Sequence, residues 1–212
     1  TAGNFSEYIE PNRMGKGIDC AAVVAETLKF AKAKKDAGQR FFVSMLPFDT
    51  HTPYRYHEDV TDKYFSGPWP KPVGKHVDGY LLNDIAAGRK VLNKSQCAQL
   101  RALYDGEVEH TDQCFGVLID GLEELGLKDS TAIVLTSDHG EGMFEHKKMG
   151  HAYGLYSELT NVPLVVFGQG LNGEEGGLKR VDVPTQVIDI APTVLDLMGV
   201  EPSERIQGSS VV

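Results

Sequence analysis

The chain has 212 residues, 41% of them hydrophobic, and a formal net charge of −9. That apolar content can bury a sizeable core, in one domain or at most two, and no uninterrupted apolar run is long enough to cross a bilayer. The acidic balance argues against a broad electrostatic attraction to nucleic acid or anionic membranes, so no nucleic-acid partner is expected, and without a long apolar run no transmembrane segment is expected either.

Thr1 is neither an initiator methionine nor the start of a charged-then-apolar export signal, which reads as a cleaved or truncated chain. Asp19 is a good N-cap for a helix that runs to the region of Gly38, a good stop. Phe41 to Leu46 predicts a strand. Gly67, Pro68, Pro70, Pro72 and Gly74, with Trp69 among them, make Phe65 to Val77 an irregular surface excursion of the kind that often shapes pockets. Ser95 can cap a long helix in which Cys97, Leu100, Tyr104, Val108, Thr111, Phe115, Leu118, Leu122 and Leu125 recur at helical spacing, with Gly126 to end it.

The run Ala132-Ile133-Val134-Leu135-Thr136 then predicts a buried strand covered on both faces, ending in Ser137-Asp138-His139-Gly140-Glu141. Val162 to Phe167 predicts a second buried strand, and Gly168 to Gly177 a glycine-rich acidic turn with no phosphate-loop lysine signature. Asp189 can cap a last helix with Pro192 in its first turn, Gly199 just past its end, and Val194, Leu195 and Met198 docking on the sheet. No repeat, heptad or linker interrupts this order, so residues 1–212 are expected to form one partial α/β domain. Cys20, Cys97 and Cys114 have no short zinc-type spacing and cannot all pair internally, which leaves the redox compartment open.

The chemistry concentrates after the apolar run. A carboxylate and a neutral imidazole at a strand's carboxyl end, here Asp138 and His139, can jointly hold a divalent cation and so neutralise a sulfate or phosphate ester; the same pair also describes a plain capped turn. Glu141 can order such a loop from outside the ligands. His51, in the Thr-His-Thr-Pro-Tyr turn, can bind an ester oxygen or protonate a leaving alcohol, or be a solvated loop histidine. A further polar cluster spans Glu145-His146-Lys147-Lys148-Met149-Gly150-His151, whose lysine pair can attract an anion or merely solvate a face. His57, His76 and His110 read as surface or packing residues.

Together these segments resemble the sulfatase family of the alkaline phosphatase superfamily, and they come in the family's order. Phe41 to Tyr54 looks like its strand and His-x-Pro loop, and Tyr104 to Asp112 is similar to the helix before its metal strand. Asn161 to Val166, Asp189-Ile190-Ala191-Pro192-Thr193 and Gln207-Gly208-Ser209-Ser210 follow. The resemblance implies an alkaline-phosphatase-like α/β fold with a mixed or mostly parallel sheet flanked by helices, incomplete at the amino terminus. It implies a sulfuric ester hydrolase acting on a sulfated small molecule or glycan; it is compatible with periplasmic or extracellular placement and leaves localisation open. Asp138 and His139 would be metal ligands, for calcium first and magnesium or manganese second, and His51 and His151 catalytic residues at the ester.

Departures from the family pattern set the alternatives. The family's early aspartate pair and its Cys/Ser-x-Pro-x-Arg word, whose first residue becomes formylglycine, do not occur here. Cys97 has Arg101 at the matching offset, but Gln99 stands in the proline position within a helical pattern, so the formylglycine is expected in a missing segment. His151 precedes Tyr156-Ser157-Glu158 instead of the usual Tyr-Glu-Glu, which keeps His146, Lys147 and Lys148 as competitors. A phosphodiesterase, a phosphonate ester hydrolase or a phosphoethanolamine-type transferase shares the metal strand, and a noncatalytic binding homologue would keep the fold without the chemistry.

Overall fold

The computed structural model describes residues 19–168, 171, 180 and 182–212. The chain divides into two units, Thr1–Leu125 with Met143–Gly150, and Gly126–Gly142 with His151–Val212.

In the first unit, helix α1 (Cys20–Asp36) starts where the sequence predicts, because the Asp19 carboxylate accepts from the Ala21 N–H at 2.9 Å. It ends at Gly38 in the left-handed region, φ 64°. It packs against the long helix α3 (Lys94–Glu124). Gly121 permits that approach, since a Cβ there would lie 2.4 Å from Leu28 Cδ1. The N-cap of α3 is Asn93 instead of Ser95: Asn93 Oδ1 accepts from Gln96 N at 2.9 Å while Gln96 Oε1 accepts from Asn93 N at 3.0 Å. Only a start at Asn93 places Gln96 where it can return the bond. The buried face of α3 carries Leu100, Leu103, Glu107, Cys114, Leu118 and Leu122, whereas Val108 is exposed.

Phe41 to Leu46 alternates half-buried and exposed residues but forms no ladder among the described residues, so the strand expected there is not found. A pleated period specifies faces, not a partner. Phe41 instead stacks edge-on against Phe30 of α1, with ring centroids 6.2 Å apart. The Phe65 to Val77 segment is irregular as predicted, yet it is not confined to the surface. Val73 and Val77 join Tyr54, Leu82, Leu100, Leu103, Met143 and Met149 in the core of this unit. Gln99 Nε2 donates to Pro68 O at 2.7 Å, and Trp69 packs edge-on against Tyr56 and Phe65, which ties the segment to α3. Strand β1 (Tyr54–Arg55) pairs antiparallel with β2 (His76–Val77), and α2 (Gly79–Ala86) is capped by Asp78. A hairpin of β4 (Gly142–Met143) and β5 (Met149–Gly150) carries Phe144 to Lys148 in its turn.

In the second unit, β3 (Ala132–Thr136) pairs antiparallel with β6 (Leu164–Gly168), with Ala132 opposite Gly168 and Thr136 opposite Leu164. The expectation of cover on both faces does not hold along β3, because Leu135 and its partner Val165 are each 36% exposed. Helix α5 (Ile190–Leu197) packs against β3. Apart from Gly168 and Leu171, the predicted Gly168 to Gly177 turn lies outside the described residues. Asp189 occupies the N-cap position of α5, as predicted, but its carboxylate makes no cap hydrogen bond to the helix. Its carboxylate accepts from Gln186 N at 2.8 Å and Ser209 N at 2.9 Å, and the Ser209 N–H first, then that of Gln186, holds this carboxyl below the usual range. Thr193 Oγ1 donates to Asp189 O at 2.6 Å and accepts from Val211 N at 3.1 Å. The Asp189–Thr193 and Gln207–Ser210 words are therefore two halves of one structural clasp. Val194, Leu195 and Met198 are half-buried, and Gly199 ends the element with φ 67°. No helix among the described residues is long and apolar enough to cross a membrane.

Candidate functional site

Strand β3 delivers Asp138 and His139 to the turn at its carboxyl end. His139 Nδ1 lies 2.8 Å from Gly140 O, so Nδ1 carries the hydrogen and Nε2 is the basic nitrogen, the form a metal ligand requires. Asp138 Oδ1 accepts from His139 N at 3.0 Å and lies 3.8 Å from His139 Nε2. Ser137 Oγ closes the turn by donating to His139 O at 2.6 Å. The two side chains remain open to solvent, Asp138 at 76% and His139 at 40% exposure.

Gly140 sets the shape of this turn. Its N–H donates to Leu159 O at 2.9 Å, and a Cβ on it would lie 2.1 Å from Glu158 O, so no other residue fits without displacing α4 (Ser157–Thr160).

The second unit also brings His151 to this turn, its ring centroid 4.2 Å from that of His139 at 30°. Glu141, its side chain only 6% exposed, places Oε1 3.2 Å from His151 Nδ1. A carboxylate accepts only, which puts the hydrogen on Nδ1 of His151. Glu141, ambiguous in sequence, is thus the partner of His151. The competitors His146, Lys147 and Lys148 are exposed in the β4–β5 turn of the first unit.

His51 belongs to the first unit and is exposed. Its Nδ1 lies 2.9 Å from Thr52 O, giving the same tautomer as His139, and its ring meets Phe48 edge-on at 5.9 Å. Cys97 is a residue of α3, as read from sequence. Burial pushes its thiol up, opposed by the Arg101 guanidinium, and a thiol held protonated is a poor nucleophile.

A second polar group in the first unit escaped the sequence reading. Glu107 is buried in α3 and accepts from Arg55 N and His57 Nε2, each at 2.6 Å. Burial pushes its carboxyl up, and the His57 and Arg55 hydrogen bonds pull it part of the way back. The His57 ring stacks on His110 at 4.1 Å and 14°, and His110 Nε2 lies 3.8 Å from Asp19 Oδ1 and 4.0 Å from Asp49 Oδ1. The available signal was Glu107 itself, a charge within an apolar helical stripe that must find a partner.

The family model described as Sulfatase matches residues 3–200. The chain belongs to the sulfatase family. It is 26% identical over 223 residues to the multifunctional alkaline phosphatase superfamily protein PehA of Trinickia caryophylli, an alignment covering 96% of the chain and 42% of that protein. It is 26% identical over 196 residues to an arylsulfatase of Clostridium perfringens, covering 89% of the chain and 40% of the enzyme. The phosphonate monoester hydrolase SpPMH from Silicibacter pomeroyi shares its fold with a TM-score of 0.63 at 27% identity, over 91% of the chain and 40% of that structure. The sulfatase chain thus has the expected alkaline-phosphatase-like α/β fold, and it spans about two fifths of the length of each of these three relatives. The family to which it belongs uses a divalent metal and formylglycine.

Proposed function

We propose that this chain supplies the metal-holding and ester-binding residues of a sulfate ester hydrolase acting on a sulfated small molecule or glycan. The observation that carries the reading is the turn after β3, where His139 has Nδ1 committed to Gly140 O and His151 lies 4.2 Å away with Nδ1 on buried Glu141. Asp138 and the His139 Nε2 offer one oxygen and one nitrogen donor, a set that fits a divalent cation but does not complete its shell. Calcium is the first reading, by resemblance, with magnesium or manganese second. When bound, such a cation neutralises charge on the sulfuryl group. His151 binds an ester oxygen, and His51, by its place in the His-x-Pro loop, protonates or binds the leaving alcohol. The nucleophile is a formylglycine outside these 212 residues, so the 212-residue chain alone turns over no sulfate ester.

A second reading is phosphorus ester hydrolysis, favoured by the likeness to the phosphonate monoester hydrolase of Silicibacter pomeroyi. Assay of the full-length encoded protein on aryl sulfates, phosphonate monoesters and phosphodiesters separates the two. Turnover of sulfate esters is expected, reduced about 10²- to 10⁴-fold by His51→Ala and about 10²- to 10³-fold by His151→Ala. The His51 loss should be smallest for esters with acidic leaving alcohols, which depart without a proton. Turnover of phosphorus esters alone establishes the second reading. Normal sulfate ester rates in both variants remove these two assignments and turn attention to His146 and Lys148, and full-length protein without any esterase activity is the outcome for a noncatalytic homologue.

A further inference from the structure

The ester chemistry leaves unused a cluster where α1 begins. Cys20, the first residue of α1, is joined to Cys114 of α3, and Asp19 immediately precedes it. His110 lies one helical turn before Cys114, so both project from the same face of α3. One ligand atom from each of Asp19, Cys20, His110 and Cys114 can be chosen so that all four lie within 4.8 Å of one another. Cys20 and Cys114 are buried, His110 is half-buried and Asp19 is exposed, which leaves one open side.

A second observation points to a cation at this place. The Asp49 side chain is 5% exposed, its Oδ1 is 4.0 Å from His110 Nε2, and its Oδ2 has no hydrogen-bond partner among the described residues. A buried carboxylate oxygen without a partner is costly, and a nearby cation or its bound water would satisfy it. His110 is held in orientation by the stacked His57 ring, itself fixed by Glu107.

We propose that Asp19, Cys20, His110 and Cys114 form a zinc site in the reduced protein, and that the Cys20–Cys114 disulfide is its metal-free oxidised state. Two thiolates, an imidazole and a carboxylate are a donor set that tetrahedral Zn²⁺ takes readily. The Cα atoms of the two cysteines are 6.0 Å apart, so both sulfurs can reach one ion by side-chain rotation with the helices in place. A dithiol reductant gives two electrons and two protons to the S–S bond and leaves as its own disulfide. Zn²⁺ then forms two S–Zn bonds, and the two thiol protons pass to solvent.

The test uses the 212-residue chain carrying Cys97→Ser, so that every remaining thiol belongs to the cluster. After reduction by a dithiol and removal of the reductant, one equivalent of Zn²⁺ is expected to bind with submicromolar affinity and to protect both thiols from alkylation until a chelator is added. Co²⁺ in place of zinc should give a near-ultraviolet thiolate-to-cobalt band and the intense visible bands of a tetrahedral ion. The Asp138–His139 turn cannot produce the thiolate band, since it holds no sulfur. Oxidised chain should show neither effect, and His110→Gln should weaken binding by more than about 10-fold, the smallest loss expected when even an outer partner is removed. The proposal is overturned if zinc leaves both thiols open to alkylation, if cobalt gives no thiolate band, or if His110→Gln binds zinc as the parent does. The first two readouts need no ligand variant and so do not depend on its folding.

Discussion

Glu107 shows what a single residue can and cannot announce. Its position in an apolar stripe signals a buried carboxylate, but its partner His57 is 50 residues away in sequence, and no local pattern reveals that pairing. His57 and His110 were accordingly read as ordinary. The placement of Asp138 and His139 at a strand end was legible because strand and turn are contiguous, whereas the Glu141–His151 pair forms only where the chain brings His151 back. Glu141→Gln removes the carboxylate that orients His151. In the full-length protein it should lower kcat/KM about 10- to 100-fold and alter the pH profile, with Glu141→Asp recovering part of the loss and melting temperature nearly unchanged. A lowered melting temperature with an unaltered profile would make Glu141 merely structural. Asp49 gives a pH prediction. Burial raises its carboxyl above the ordinary value of 3.8, only partly offset by the Cys20 N–H and His110. A group raised on folding adds stability below its unfolded pKa and loses it as pH rises through the folded one. Asp49→Asn keeps an acceptor without the charge, so thermal melts of the oxidised chain should show a gain near pH 7 that fades towards about pH 4. An equal gain at both pH values would exclude charge burial as its cause.

At the scale of elements, start and stop chemistry was the most readable feature, and strand pairing the least. Asp19, Gly38 and Gly199 act where their residue types predict, since a cap and a left-handed glycine are decided within one turn of helix. The cap of α3 moved to Asn93 because two reciprocal bonds outweigh the one that Ser95 offers. Phe41 to Leu46 has the alternation of a strand without a ladder, and β3 has the apolar run of a doubly covered strand with Leu135 part-exposed. Both depend on neighbours that a local pattern does not name. The turn joining β3 to its site depends on one missing methyl group. Gly140→Ala places a Cβ against Glu158 O, where backbone must move, and should cost about 1–3 kcal/mol in thermal or denaturant unfolding. In the full-length protein the same variant should weaken divalent-metal affinity measured by calorimetry. Unchanged stability and affinity would show that α4 yields freely.

For the whole molecule, family membership was legible because the matching words fall in order along most of the chain, a constraint that no single word carries. The role of each word was less legible: the Asp189–Thr193 and Gln207–Ser210 words turn out to bind each other. The link between α1 and α3 has a topological consequence. Cys20 and Cys114, 94 positions apart, turn the intervening chain into a covalent ring that contains His51, α2 and most of α3. Arg89 and Lys90 lie exposed between α2 and α3, where trypsin can reach. One cut there opens the ring without dividing the molecule. The nicked protein should therefore run as a single species on a denaturing gel without reductant and as two fragments with it, and separate fragments in both lanes would mean that the ring is not closed in solution. Until the sulfurs part, a broken backbone in this region still travels as one body.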